Sequence, residues 1–142
     1  MTGLHLDQRL VDAAIAFVER RFPGEPWAGA AAMYVEDGEI LVSTAPEVVN
    51  DAVALCHEVG ALCEAFARNK RIVASVCVSR AEDGRLVILP ACGVCQERLW
   101  SWGGQVEVAV PRPEDDTRWT SVTLAEMSPH YWRKRGDPRV AD

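Results

Sequence analysis

The sequence has little positive charge. Its 142 residues contain 15 lysines and arginines against 21 aspartates and glutamates, which gives a formal net charge of -6. Nucleic-acid binding needs a basic surface that displaces counterions from phosphates, so this balance argues against a nucleic-acid partner. A short basic cluster, Arg133-Lys134-Arg135, stands near the end of the chain, and we expect it to be a solvated tail.

Long apolar segments are absent as well. No apolar run approaches the roughly 20 residues that cross a bilayer, and the N-terminus has no basic region followed by an apolar one. We therefore expect a cytoplasmic protein with no membrane partner. The sequence also has no internal repeat, low-complexity segment or interdomain linker, so we expect residues 1–142 to form a single domain. Five cysteines, an odd number, then indicate thiols and metal ligands instead of a disulfide framework.

Two short segments contain most of the reactive side chains. The first is Cys56-His57-Glu58, and the second is Pro90-Ala91-Cys92-Gly93-Val94-Cys95. The signature of zinc deaminases is a metal ligand, one residue, a glutamate, and then Pro-Cys-x-x-Cys. The two segments match this pattern with one deviation, because Ala91 stands between the proline and the first cysteine of the pair.

This spacing predicts one catalytic zinc centre. Zinc prefers four tetrahedral nitrogen or sulfur ligands, and a catalytic site keeps one of these positions open for water. Cys56, Cys92 and Cys95 are the predicted ligands. Glu58 is the predicted catalytic residue, which takes a proton from the zinc-bound water and passes it to the leaving amine.

Two other interpretations of the cysteines remain open. A structural zinc site would need a fourth protein ligand, for which the sequence offers His5, His57 and His130. A redox pair at Cys-x-x-Cys would need a thioredoxin-like unit around it and would leave the first motif unused. Glu58 favours the catalytic site, because neither alternative uses a carboxylate there. On a helix, His57 would point away from the residues on either side of it.

Hydrophobic periodicity predicts alternating helices and strands. We predict helices over 6–22 with Asp7 as the N-cap, over 50–68, over 92–102, and after Thr123 with Glu126 in a capping box. We predict a hairpin over 30–35 and 40–43, a central strand over 72–78, an extended segment over 86–89, and strands over 105–110 and 119–122 separated by a polar loop at 111–116. This order indicates one mixed sheet between helical layers. Cys63 and Cys77 are predicted to be small buried side chains.

The chain resembles the cytidine deaminase superfamily, in the group of small homotetrameric cytidine deaminases and blasticidin S deaminases. Besides the zinc motifs, segment 27–32 followed by Asp37-Gly38 resembles the family's Phe-x-Val-Gly-Ala-Ala and its turn, and segment 124–129 is similar to the family's Leu-Leu-Pro ending. The resemblance implies a three-layer α/β/α sandwich with a mixed five-stranded sheet. It also implies zinc-dependent hydrolysis of the exocyclic amine of a cytosine-type nucleoside or analogue, with cytidine, deoxycytidine and blasticidin S as examples. The alternative is a catalytically idle, zinc-stabilised binding or assembly protein with the same fold.

Several residues depart from the family pattern. Ala45-Pro46-Glu47 occupies the place of the family's Asn-x-Glu, which holds the ribose and the base. Glu47 is therefore a predicted substrate-binding residue, or else a solvated loop carboxylate. Alanine cannot bond a ribose hydroxyl, and an unpaired polar group costs about 1–3 kcal/mol, so plain cytidine is not expected to be the best substrate. Val59 and Gln96 stand where the family often has arginines that offset thiolate charge.

The resemblance also implies that neighbouring chains complete each active site of a homotetramer. Tyr131 and Trp132, near the C-terminus, are predicted to line or stack in a neighbouring chain's site. Trp27 stands where the family has an aromatic substrate-side residue and is the third predicted aromatic contact. The alternative for all three is packing within their own chain.

Overall fold

The computed structural model describes residues 3–133 and 137–139, so Lys134 and Arg135 of the basic cluster lie outside the described residues. The described elements, in chain order, are α1 (Gln8–Arg21), β1 (Gly29–Val35), β2 (Ile40–Ser43), α2 (Val59–Ala67), β3 (Ile72–Arg80), β4 (Leu86–Leu89), α3 (Gly93–Leu99), β5 (Glu107–Arg112), β6 (Asp115–Thr123) and α4 (Leu124–Met127). Short 3-10 turns at Asp51–Val53 and Trp100–Trp102 precede α2 and follow α3. None of the described helices is both long and apolar enough to span a membrane.

The strands form one mixed sheet. Five of them follow the order β2-β1-β3-β5-β6, and β4 pairs with β3 outside this path. Strand β3 is long enough to pair with two strands along one edge: its first half pairs in parallel with β5, and its second half pairs antiparallel with β4. The predicted mixed sheet is therefore confirmed, with the segment at 86–89 as a sixth strand.

Helices cover both faces of this sheet. Strand β1 is buried along its whole length, and its side chains alternate between two hydrophobic clusters. Ala30, Ala32 and Tyr34 face the cluster that contains α1, whereas Met33 and Val35 face the cluster that contains α2, α3 and α4. This alternation, which follows from the two-residue period of a strand, confirms the predicted three-layer α/β/α sandwich.

Local signals place the ends of several elements correctly. The Asp7 side chain accepts the Leu10 N–H at 3.1 Å and caps α1, as predicted. The predicted capping box at α4 is present, since Thr123 and Glu126 bond each other's backbone N–H groups. The hairpin of β1 and β2 also forms as expected. Side-chain caps and tight turns are local interactions, so the sequence alone indicates them well.

The largest errors in predicted extent concern the helix that contains the first motif and the loop between the last two strands. The helix expected over 50–68 starts only at Val59, and α2 buries Ala61, Leu62 and Ala65. Position 63 therefore lies outside the buried face, and Cys63 is exposed, whereas Cys77 is buried as predicted. The loop expected over 111–116 is also shorter, because β5 runs to Arg112 and β6 begins at Asp115. Pairing between the two strands outweighs their polar composition.

Candidate metal centre

The three predicted cysteine ligands lie together on the sheet face covered by α2 and α3. Cys56 is in the non-helical segment before α2, Cys92 is the N-cap of α3, and Cys95 is in the first turn of α3. All three Sγ atoms lie within 4.8 Å of one another, and the Sγ atoms of Cys56 and Cys92 are 3.5 Å apart. Cys95 is buried and Cys92 is exposed, so the cluster opens towards the surface at Cys92.

The donor set fits zinc. Tetrahedral Zn–S bonds of about 2.3 Å place sulfur atoms about 3.8 Å apart, close to the separation seen here. Within the described part of the chain, no histidine or carboxylate joins the three cysteines as a fourth ligand. Two of the candidates for that position have other partners, since His5 bonds Glu107 and His57 bonds the backbone of Ala45. Three thiolates with a free fourth position are typical of a catalytic zinc site.

Glu58 lies directly beside the cysteine cluster. It is the residue before α2, its side chain is only 4% exposed, and its Oε2 atom is 3.6 Å from the Sγ atom of Cys95. Buried carboxylates are rare unless they are paired or functional. A carboxylate at this point can hold or move a proton next to a metal ligand position.

The protonation of the thiols reflects their surroundings. Burial raises the pKa of Cys56, and its contact with the Cys92 thiol raises it further. Burial, and then the charge of Glu58, raises the pKa of Cys95. Burial also acts to raise the pKa of Cys92. The Cys95 N–H, the Cys56 thiol and the Val94 N–H together outweigh burial, so the pKa of Cys92 is lowered. Cys92 is therefore the thiol whose surroundings favour ionisation, whereas the surroundings of Cys56 and Cys95 oppose it.

The end of β2 holds the first motif in place. The Ser43 hydroxyl donates to the His57 carbonyl at 2.6 Å and accepts the Ala61 N–H at 3.0 Å. The strand and the helix approach closely here, because a Cβ atom at Gly60 would lie 2.8 Å from the Cβ atom of Ser43. Ser43 thus supplies a partner for one of the free N–H groups at the start of α2, as an N-cap would.

The His57 side chain points towards the residues that follow β2. Its Nδ1 atom accepts the Ala45 N–H at 3.1 Å and lies 3.4 Å from the Thr44 hydroxyl. Burial lowers the pKa of His57, although the charge of Glu58 opposes this shift. The expectation that a helix directs His57 away from the metal was wrong in its premise, because the residue lies before α2.

Two side chains on α3 relate to the departures of the second motif from the family pattern, which are the inserted Ala91 and the glutamine at position 96. Gln96 donates from Nε2 to the Ala91 carbonyl at 2.8 Å, which secures the residue inserted before Cys92. Arg98, which the sequence analysis missed, brings Nη1 to 3.8 Å from the Cys95 Sγ atom. The signal was available, because residues three apart on a helix are neighbours. Arg98 thus places positive charge beside the cluster, although Val59 and Gln96 stand where the family often has arginines.

Glu47 and Trp27 lie on loops outside the cysteine cluster. Glu47 lines a cavity of about 480 Å³ together with Arg21, Phe22, Glu25 and residues 44–46. Trp27 has a φ of +67° and is 68% exposed. Its backbone N–H donates to the Arg80 carbonyl at 2.8 Å. A non-glycine residue in the left-handed region costs about 1–3 kcal/mol and is often found at functional sites. The substrate-binding roles of both residues stay predictions.

Tyr131 and Trp132 pack on their own α3. The Tyr131 ring stacks on Trp100 with centroids 4.0 Å apart, and both C-terminal aromatics donate to the Glu97 carboxylate at 2.9 Å. Trp132 remains 67% exposed. Within one chain these two side chains therefore pack against α3, the helix that contains Cys95. Their contact with the site of a neighbouring chain stays a prediction.

The fold and the cluster define an α/β/α protein with a candidate three-cysteine metal centre, and solved structures give the family. A cytidine deaminase from Bacillus anthracis has 41% sequence identity and a TM-score of 0.80, and the match covers 88% of each chain. One from Mycobacterium leprae has 25% identity and a TM-score of 0.65, over 86% of this chain and 96% of the other. The chain belongs to the cytidine deaminase superfamily.

A more distant structure supports the fold alone. The cytidine deaminase from Mycobacterium tuberculosis has 22% identity and a TM-score of 0.66, over 92% of this chain and 100% of the other. No protein-family model and no curated protein sequence matches the chain.

Proposed function

We propose that the protein is a zinc-dependent hydrolase that removes the exocyclic amine from a cytosine-type nucleoside or analogue. One observation supports this most strongly: the buried Glu58 carboxylate lies beside a three-cysteine cluster that has no fourth ligand among the described residues. A structural zinc site has no use for such a carboxylate. The likeness to the Bacillus anthracis cytidine deaminase agrees with this assignment.

Each residue of the centre has a proposed role. Cys56, Cys92 and Cys95 would hold zinc, which when bound supplies a Lewis acid that makes water nucleophilic at neutral pH. Glu58 accepts the proton of the attacking water and donates a proton to the departing amine, which leaves as ammonia. Its burial keeps bulk water from competing for this proton transfer.

The loop after β2 favours an analogue over plain cytidine. Ala45 has no side-chain hydrogen bond to offer, and its backbone N–H already bonds His57. Glu47 is therefore the proposed polar contact of this loop with the substrate, at the cavity that Arg21 and Glu25 also line. The exposed ring of Trp27 would stack on a flat aminopyrimidine.

We further propose a homotetramer in which neighbouring chains cover the centre. Apolar side chains around the two cysteine segments are exposed in the single chain: Val49, Val53, Leu55 and Val94. Exposed apolar residues gathered around one site are typical of an interface. Tyr131 and Trp132 would then contact the site of another chain. Light scattering at micromolar protein concentration measures the assembly directly.

A substrate panel tests the activity. The zinc-loaded protein is incubated with cytidine, deoxycytidine, cytosine and blasticidin S, and turnover is followed by ultraviolet absorbance and ammonia release. We expect ammonia release from at least one compound, with cytidine not the best. A zinc-loaded protein that releases ammonia from none of them would instead support the idle binding or assembly protein.

A further inference from the structure

His57 joins the candidate metal centre to the loop that carries Glu47. Along the chain it stands between Cys56 and Glu58, yet its Nδ1 atom accepts the Ala45 N–H at 3.1 Å. Ala45 belongs to the four-residue segment 44–47 after β2, which we call the β2 loop. The imidazole is thus a direct connection between the first motif and the β2 loop.

The imidazole fits only because residue 29 is glycine. A Cβ atom at Gly29 would lie 2.6 Å from the His57 Nε2 atom and 2.6 Å from the Val78 carbonyl oxygen. These separations are too short for real contacts, so a larger residue at position 29 would displace the ring. The Gly29 carbonyl also accepts the Thr44 hydroxyl at 2.6 Å, so the start of β1 supports both the imidazole and the β2 loop.

The hydrogen bond defines the state of the ring. Because the Ala45 N–H is the donor, Nδ1 must be the acceptor, and the ring hydrogen of the neutral imidazole is on Nε2. Ala45 has no polar side chain, so it can help to hold the loop only through this backbone hydrogen bond. The Nδ1 atom is therefore the group on His57 that does the positioning.

We propose that His57 is a positioning residue that sets the β2 loop, and with it Glu47, at a defined place relative to the metal centre. This inference rests on the proposed deaminase function for its effect on substrate. Loss of the Nδ1 acceptor would release the loop without removing a metal ligand or Glu58. Substrate binding would then weaken more than the chemical step.

A pair of variants separates this role from simple space filling. His57→Asn keeps an acceptor, since its Oδ1 atom occupies the place of Nδ1, whereas His57→Leu keeps similar bulk without an acceptor. Zinc content and thermal unfolding are measured first. If His57→Leu does not fold, His57→Ala removes the acceptor without adding methyl groups and takes its place.

The experiment has two readouts on the zinc-loaded protein. Amide hydrogen exchange at Thr44, Ala45 and Glu47, the three residues of the β2 loop with an amide hydrogen, needs no substrate. We expect it to rise about fivefold in His57→Leu and to stay near the parent value in His57→Asn. With the best substrate of the panel, we expect KM to rise about fivefold in His57→Leu with kcat little changed, and His57→Asn to restore KM.

Two results would overturn the inference. Exchange at the Thr44, Ala45 and Glu47 amides that is the same in His57→Leu and in the parent would show that Nδ1 does not hold the loop. Equal effects of the leucine and asparagine variants, with equal zinc, would show that only bulk matters. If the parent turns over none of the compounds, the deaminase proposal fails, and the exchange data alone decide whether His57 positions the loop.

Discussion

The two segments that supply the cysteines reach the same cluster by different means. Cys92 and Cys95 stand at the start of α3, where free backbone N–H groups favour the thiolate of Cys92. Cys56 lies in an irregular segment before α2, held by the Ser43 hydroxyl and the His57 side chain. The second segment is thus organised by a local helix end, whereas the first depends on contacts with a strand and loop more than ten residues away in sequence.

Removal of a ligand from the helical segment should have the largest effect. In Cys92→Ala two thiolates remain, and we expect the protein to lose zinc and all turnover, because zinc requires at least three protein ligands here. Elemental analysis of protein purified without chelator measures this against the parent, for which we expect one zinc per chain. Cys63→Ala, at an exposed cysteine outside the cluster, is the matched control. Zinc at the parental level in Cys92→Ala would remove Cys92 from the ligand set.

A change at Ser43 tests the long-range support of the first segment. Ser43→Ala leaves the His57 carbonyl and the Ala61 N–H without their partner, so we expect the free energy of unfolding to fall by about 1–3 kcal/mol. Denaturant unfolding of the zinc-loaded protein measures this loss. Ser101→Ala, at an exposed position beyond α3, serves as the control and should change little. Equal stability of the two variants would show that Ser43 does not anchor the segment.

Arg98 should give the smallest effect. Its guanidinium lies 3.8 Å from the Cys95 Sγ atom, but the side chain is exposed, so solvent weakens the interaction. We expect Arg98→Gln to lose zinc to a chelator about threefold faster than the parent, because groups that bond the ligands tune metal affinity. The control is Arg118→Gln, another exposed arginine on β6. If both variants release zinc at the parental rate, Arg98 does not compensate the thiolate charge.

Features that depend on residues close together in the sequence could be predicted from it. The cysteine cluster was predictable, because the spacing of two short motifs carries the chemistry of the site. The ends of α1 and α4 were predictable from their caps, Asp7 and Thr123. All of these signals lie within a few residues of the feature that they define.

The remaining features depend on contacts between distant residues. Apolar residues at helical spacing continue from Val53 through Cys56, so periodicity extended α2 too far towards the N-terminus. Bonds from Ser43 and Ala45 to His57 hold this stretch in a non-helical conformation, and local sequence does not reveal them. Tyr131 illustrates the same limit. Its aromatic side chain is as consistent with an interface between chains as with the stacking on Trp100 that the structure shows.

Glu58→Gln tests the central claim most directly, because glutamine keeps the shape of the side chain and removes its ability to carry a proton. The measurement is the zinc content and the rate of ammonia release of the variant and the parent, on the best substrate of the panel. We expect equal zinc and a rate lower by about 10²–10⁴-fold, which is the usual contribution of a general acid or base. A variant with full zinc and the parental rate would contradict the assignment of Glu58 and, with it, the proposed mechanism.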